Sequence, residues 1–269
     1  GPVDGIAMPA WHCDPPPVSR YDAFRLLNNR IIEQIAVRSE FREGDGAAAA
    51  YSLVKFWIDL GTSLSVYFGC YQPGYRNRQA LIEASLDDQG KLLGDSVASR
   101  LRQRFQDAMA VKLGRRRLVP ASTGEEFREA AEIAQAAWNW ESAELLKCGQ
   151  ISDDWRLIFS RLRKIETLNV RFRDWARLLR EPARLRKLGM RQLIAAIRTG
   201  SLATLIYGSG CVLDFFWDEI DSESIRGDEI AAALGPALNV RADASSDRRR
   251  TLAQAALGAW QDHLRFAAA

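Results

Sequence analysis

The sequence predicts an all-α protein, a bundle of about nine or ten helices with no significant sheet. Three observations predict it. Apolar residues recur at spacings of three and four along most of the chain, beginning with Phe24, Leu27, Ile31 and Ile35. Ser, Thr and Gly fall where these apolar runs start and stop, as helix caps require. Nowhere do four or more β-branched residues alternate with polar ones, the signature of a half-buried strand.

Each element follows from its own residues. Ser19 is an N-cap for the first helix. A second, longer helix runs from Ala47 to Phe68 and ends at Gly69. Pro73 and Gly74 make Tyr71 to Gly74 a turn, followed by a short helix from about Tyr75 to Leu86. Asp87-Asp88-Gln89-Gly90 reads as a polar turn. Ser96 to Leu113 is helical, closed by Gly114 and the cluster Arg115, Arg116 and Arg117. Thr123, with Glu126 three residues on, is a capping box for a helix reaching Lys147, with Gly149 as its C-cap. Ser152 caps a helix extending to about Arg180, with Asp153 and Asp154 placed to suit the dipole. Glu181-Pro182 opens another helix carried to Arg198, and Gly200-Ser201 separates it from an apolar helix over Leu202 to Ile220. Ser222 to Leu234 and Ser246 to Phe266 complete the set.

Composition narrows the class further. The chain has 269 residues, 47% of them hydrophobic, and a net charge of +3, which excludes low-complexity disorder. No apolar run is long enough to span a membrane, since the best candidate, Val54 to Cys70, contains Lys55 and Asp59. The four cysteines lie far apart with no CxxC spacing, which argues against a disulfide framework or zinc site and favours the cytoplasm. With only His12 and His263, a His-based metal centre or catalytic triad has little to use. Gly1-Pro2 reads as a tag-cleavage scar, and residues 1–18, with Pro15-Pro16-Pro17, as a linker. The remainder divides into a helical subdomain over 19–118 and a second over 119–269 packed on it.

Two patterns could carry chemistry. Tyr51, Lys55, Asp59 and Ser63 recur every four residues and so share one face of an otherwise apolar helix. The stripe is either a solvated strip carrying a Lys55–Asp59 pair, or one wall of a cleft in which Lys55 meets an anion. Tyr71, Tyr75, Arg76 and Arg78 follow at once, a grouping suited to phosphate and base contacts. On the preceding helix, Asn28, Asn29, Arg30 and Glu33 form another polar group, in which Arg30 and Glu33 can be an ordinary i,i+3 pair. The second pattern is charge. Arg156 to Arg198 holds thirteen basic residues against Glu166, Asp174 and Glu181, a net +10 that leaves −7 elsewhere. Interleaved with Phe159, Phe172 and Trp175, this stretch could grip nucleic acid, nucleotide phosphates or an acidic surface. Arginine is 31 of the 37 basic residues, however, and the same charges can simply coat a solvated face.

Other constellations fail on detail. Gly208-Ser209 followed by Asp214, Asp218 and Asp221 superficially resembles a metal-dependent nucleotidyl-transfer signature, but the acids lack the Asp-x-Asp spacing and the glycine sits in an apolar helix. Asp153-Asp154 and Asp218-x-x-Asp221 make no complete Asp-Asp-x-x-Asp, so a stand-alone isoprenoid-type helical enzyme is disfavoured. No Gly-x-Ser-x-Gly elbow occurs. Cys70, Cys148 and Cys211 sit among or beside apolar residues and read as core fillers.

One resemblance remains. Leu26-Leu-Asn-Asn-Arg30, then Tyr51-x3-Lys55-x3-Asp59 with Thr62-Ser63-Leu64, then Gly69-x-Tyr71-x-Pro73-x-Tyr75-Arg76-x-Arg78, is similar to the helical region that follows the catalytic domain in bacterial nucleotidyltransferase-domain proteins. It covers about residues 19–86. The resemblance implies an upstream catalytic domain, which would bring Mg²⁺ and an NTP, and an accessory region that is not catalytic alone. It also implies that Arg30, Lys55, Asp59, Tyr75, Arg76 and Arg78, with Tyr51 beside them, form a substrate-facing or interdomain site. The alternative is a helical interaction module that binds nucleic acid or an acidic protein through 156–198.

Overall fold

The computed structural model describes residues 18–41, 46–120, 124–149, 154–181, 188–220, 222, 224–240 and 248–267. Among them are twelve α-helices, one short 3₁₀ turn and no strand. The helices are α1 (Arg20–Glu40), α2 (Gly46–Tyr67), α3 (Tyr75–Gln89), α4 (Asp95–Lys112), α5 (Glu125–Leu146) and α6 (Trp155–Ile165). They continue as α7 (Leu168–Arg180), α8 (Met190–Thr199), α9 (Leu202–Phe215), α10 (Trp217–Ile220), α11 (Ile225–Leu238) and α12 (Arg248–Ala267).

The all-α class holds, but the expected count of nine or ten is two short or more, because two expected helices are each broken in two. The first break is at Glu166, whose backbone turns extended. Thr167 then caps α7 by accepting from the Val170 amide, while the Glu166 carboxylate accepts from Thr204 on α9 (2.8 Å). The second is at Phe216, which leaves helical geometry (φ −113°, ψ 25°) between α9 and α10. Neither break carries a Gly or Pro, so neither shows in the sequence.

Smaller corrections have the same character. Asp87 to Gln89 stays helical and Gly90 opens the 3₁₀ turn, so no polar turn interrupts there. Lys147, in the left-handed region at φ 51°, ends α5 in place of Gly149. Asp154 is the N-cap of α6, accepting from the Arg156 amide. Leu188 and Gly189 are non-helical and precede α8, so no single helix runs from Glu181 to Arg198. The expectations for residues 1–17, Thr123, Ser152, Pro182, Asp221 and Ser246 lie outside the described residues.

Two helices organise the core. α1 packs against α2, α5, α9 and α12, burying Phe24, Leu27, Ile31, Ile32 and Ile35. α9 is buried from Leu202 to Asp214 and meets α1, α5, α6, α8, α11 and α12. Its glycines permit this approach: a Cβ on Gly208 would strike the Phe159 ring, and one on Gly210 would strike Ile32, each at 2.5 Å. One hydrophobic cluster takes in residues from both the 19–118 and 119–269 stretches. No helix among the described residues is long and apolar enough to cross a membrane.

Candidate functional site

The Leu26 to Arg30 stretch is the polar hub between these layers. Asn28, 2% exposed, accepts from Trp138 Nε1 on α5 (3.0 Å) and from Cys211 Sγ on α9 (3.2 Å). Its own amide donates to the Phe24 carbonyl (2.7 Å). Asn29 Oδ1 accepts from the Tyr207 hydroxyl on α9 (2.9 Å) and from Trp260 Nε1 on α12 (3.3 Å). A buried polar group without partners is costly, so this network specifies how four helices meet.

Arg30 turns the other way, toward α2. Its guanidinium bonds both Asp59 and Glu33, and Lys55 Nζ lies 3.9 Å from Glu33. The structure thus brings Arg30, Lys55 and Asp59 together, but not in the pairing that spacing alone suggests. Asp59 pairs across to α1 rather than along α2 to Lys55, and two cations meet two carboxylates. The stripe on α2 also changes character along its length. Tyr51 is exposed, Lys55 lies near its ring (5.9 Å), Asp59 is part-buried, and Ser63 is fully buried. There the Ser63 hydroxyl donates to Glu141 Oε1 (2.7 Å). Glu141 on α5 has no solvent exposure, its second carboxylate oxygen has no partner, and burial pushes its pKa up to about 8.

The Tyr/Arg turn forms a second, separate group. Arg78 is 9% exposed and sits between the rings of Tyr71 (4.9 Å) and Tyr75 (5.4 Å). It donates to the Gln72 carbonyl (3.0 Å) and to Thr62 Oγ1 on α2 (2.8 Å), pinning the turn onto α2. Tyr75 also faces Lys112 (5.1 Å), while Arg76 is exposed.

A larger opening lies elsewhere, and sequence reasoning missed it. A cleft of about 660 Å³ is walled by α1, α6, α7, α9 and α12. Its three acids have partners within the fold, Asp22 Oδ2 accepting from the Ser19 hydroxyl (2.6 Å). Asp174 Oδ2 accepts from the amides of Leu202 and Ala203 (3.0 and 3.2 Å), capping α9. Glu166 is buried, which raises its pKa against the pull of the Ser201 and Thr204 hydroxyls. The Tyr207 ring stands edge-on to His263 (6.2 Å, 85°), and burial raises the Tyr207 pKa with Arg25 opposing.

The cleft's cations are not held by carboxylates, although Arg25 meets the Tyr207 hydroxyl and the Tyr21 ring (6.0 Å). Arg25 on α1 and Arg173 and Arg177 on α7 are exposed, and none forms an ion pair with a carboxylate among the described residues. Arg173 and Arg177 are one helical turn apart and so point the same way. That i,i+4 repeat was the one signal available in the sequence, hidden among eleven arginines. Other arginines of the 156–198 stretch are engaged internally. Arg161 is buried on Asn139 (2.9 Å), Arg163 donates to the Arg198 carbonyl (3.2 Å), and Arg156 pairs with Glu229 (2.7 Å). The net +10 therefore overstates the charge open to a partner.

Among the described residues no cluster of His, Cys, Asp and Glu has the makings of a metal site. Gly208 and Ser209 lie buried in mid-α9, and Asp214 is buried near Arg38 (3.9 Å). Comparison with protein-family models, curated proteins and solved structures gave no match.

Proposed function

We propose that this chain is an all-helical, non-catalytic binding region that receives a phosphate-bearing small molecule, a nucleotide above all, in the cleft between α1, α7, α9 and α12. One observation carries the reading: three arginines that form no ion pair among the described residues line, from two helices, a cleft of about 660 Å³. The volume falls within the range of about 300–1,000 Å³ common for small-molecule sites. Guanidinium groups bind phosphate in a bidentate fork, and unpaired ones need not first break a salt bridge. Tyr21 and Tyr207 supply flat apolar surface within the same walls.

The similarity of residues 19–86 to helical regions of nucleotidyltransferase-domain proteins supports the nucleotide. On this reading an upstream nucleotidyltransferase-like domain supplies Mg²⁺ and the chemistry, and the exposed Tyr51, Lys55 and Arg76 side of α2 and α3 is the surface it meets. The test is calorimetric titration of the chain with ATP, CTP, GTP, UTP and inorganic triphosphate. One of them binds, and the Arg173→Gln/Arg177→Gln pair weakens it roughly tenfold or more. Binding that survives in the pair refutes the cleft as the site, and no binding by any of the five refutes the reading.

A further inference from the structure

α7 and α8 expose apolar side chains that nothing among the described residues covers. On α7 these are Leu168, Phe172 and Leu179, exposed by 77%, 75% and 66%. On α8 they are Met190, Ile194 and Ile197, exposed by 71%, 43% and 60%. Helical spacing puts each trio on a single face. On α7 that face is a different flank from the one carrying Arg173 and Arg177, so the stripe does not line the cleft. α7 buries only Leu178 fully, although its sequence is strongly amphipathic. Such stripes on a water-facing surface mark an interface.

The surrounding charge says what kind. Arg191 and Arg198 are exposed beside the α8 stripe, and Arg180 is exposed at the end of α7. Of the nearby acids, Asp174 caps α9 and Glu166 accepts from Thr204, while one Glu181 carboxylate oxygen is withdrawn from solvent. A second copy of the chain would bring two arginine-rich faces together, which like-charge repulsion opposes. A polyanion such as nucleic acid has no use for exposed Leu, Ile and Met. α7 is held by α9, and α8 by α9, α6 and α11, so the stripes sit on separately anchored helices.

We infer that the exposed apolar stripes of α7 and α8 dock on an anionic lipid surface, entering the headgroup boundary while the flanking arginines meet lipid phosphates. The inference uses residues other than those of the proposed nucleotide cleft and does not depend on it. The test is co-sedimentation of the 269-residue chain with vesicles of phosphatidylcholine alone, or with roughly one-third phosphatidylglycerol. The chain is retained on the anionic vesicles and not on the neutral ones. Phe172→Ser with Ile194→Ser lowers retention roughly tenfold, and Leu179→Ser with Ile197→Ser does the same, both at unchanged helix content and melting temperature. No retention on anionic vesicles, equal retention on neutral ones, or full retention of both variant pairs overturns the inference. Capture on immobilised polyglutamate without retention on vesicles assigns the face to an acidic protein and overturns it equally.

Discussion

The α1–α2 seam and the α1–α7–α9 cleft are built from the same kinds of residue and use their carboxylates differently. In the seam, Arg30 and Lys55 meet Asp59 and Glu33, and the four charges cancel. In the cleft, Asp174 and Glu166 are taken up by the N-terminal end of α9 and Asp22 by the Ser19 hydroxyl, so Arg25, Arg173 and Arg177 form no ion pair among the described residues. The difference teaches that the location of the carboxylates, more than the number of cations, decides whether a basic group can serve a ligand. Cations paired with carboxylates join helices; cations left unpaired can bind.

The largest expected effect is at the buried end of the α2 stripe. Glu141 carries a pKa of about 8 in the fold against 4.5 in its ordinary state, because burial disfavours the carboxylate. The unfolded chain therefore releases this proton at lower pH than the folded one. Stability falls as pH rises from about 4.5 to about 8 and levels off above, at a cost on the order of several kcal/mol. Glu141→Gln removes that slope and is more stable than the parent at about pH 9. Urea unfolding of both proteins at about pH 5 and pH 9 checks this, and parallel pH profiles would contradict it.

Next comes the seam itself. Arg30→Ala leaves Asp59 and Glu33 part-buried without their cation, and lowers stability by about 2 kcal/mol, between the limits for exposed and buried pairs. Nucleotide binding is unchanged in this variant. The Arg173→Gln/Arg177→Gln pair behaves in reverse, weakening the ligand roughly tenfold at a melting temperature within about 2 °C of the parent. A variant that shifted both quantities alike would erase the contrast between the two regions.

How much of this was legible in the sequence follows from the range of each interaction. Ser19, Gly69, Gly114 and Gly200 act locally, and the helix ends they mark were read correctly. The breaks at Glu166 and Phe216 depend on contacts with other helices, such as the Thr204 bond, and carry no local signal. The Arg30–Glu33 pair was visible at i,i+3, whereas the Arg30–Asp59 bond spans 29 residues and was not. The cleft is assembled from Tyr21 to Asn28, Glu166 to Arg177, Thr204 to Tyr207 and His263. No periodicity within one helix can announce a site whose walls come from such distant stretches. Spacing identified Lys55 as facing a shared polar surface, but it could not show that Glu33 would be there too.

Lys55 carries the smallest expected effect and the sharpest choice. Its side chain is 43% exposed and its nearest carboxylate is 3.9 Å away, so Lys55→Ala changes stability by less than about 1 kcal/mol. If the cleft holds the nucleotide, the variant also binds as the parent does, because its only charged neighbour in the seam already has Arg30. If instead Lys55→Ala abolished binding while the Arg173/Arg177 pair bound normally, the anion site would return to the face of α2. The local neutrality of the seam would then have to be broken by the ligand itself, through displacement of Glu33 from Lys55. That displacement would show as a shallow loss of affinity with added salt in the parent, where screening also loosens the Lys55–Glu33 pair, and a steeper one in Glu33→Gln. Titration of Lys55→Ala thus separates a seam that only joins α1 to α2 from one that opens to receive a phosphate.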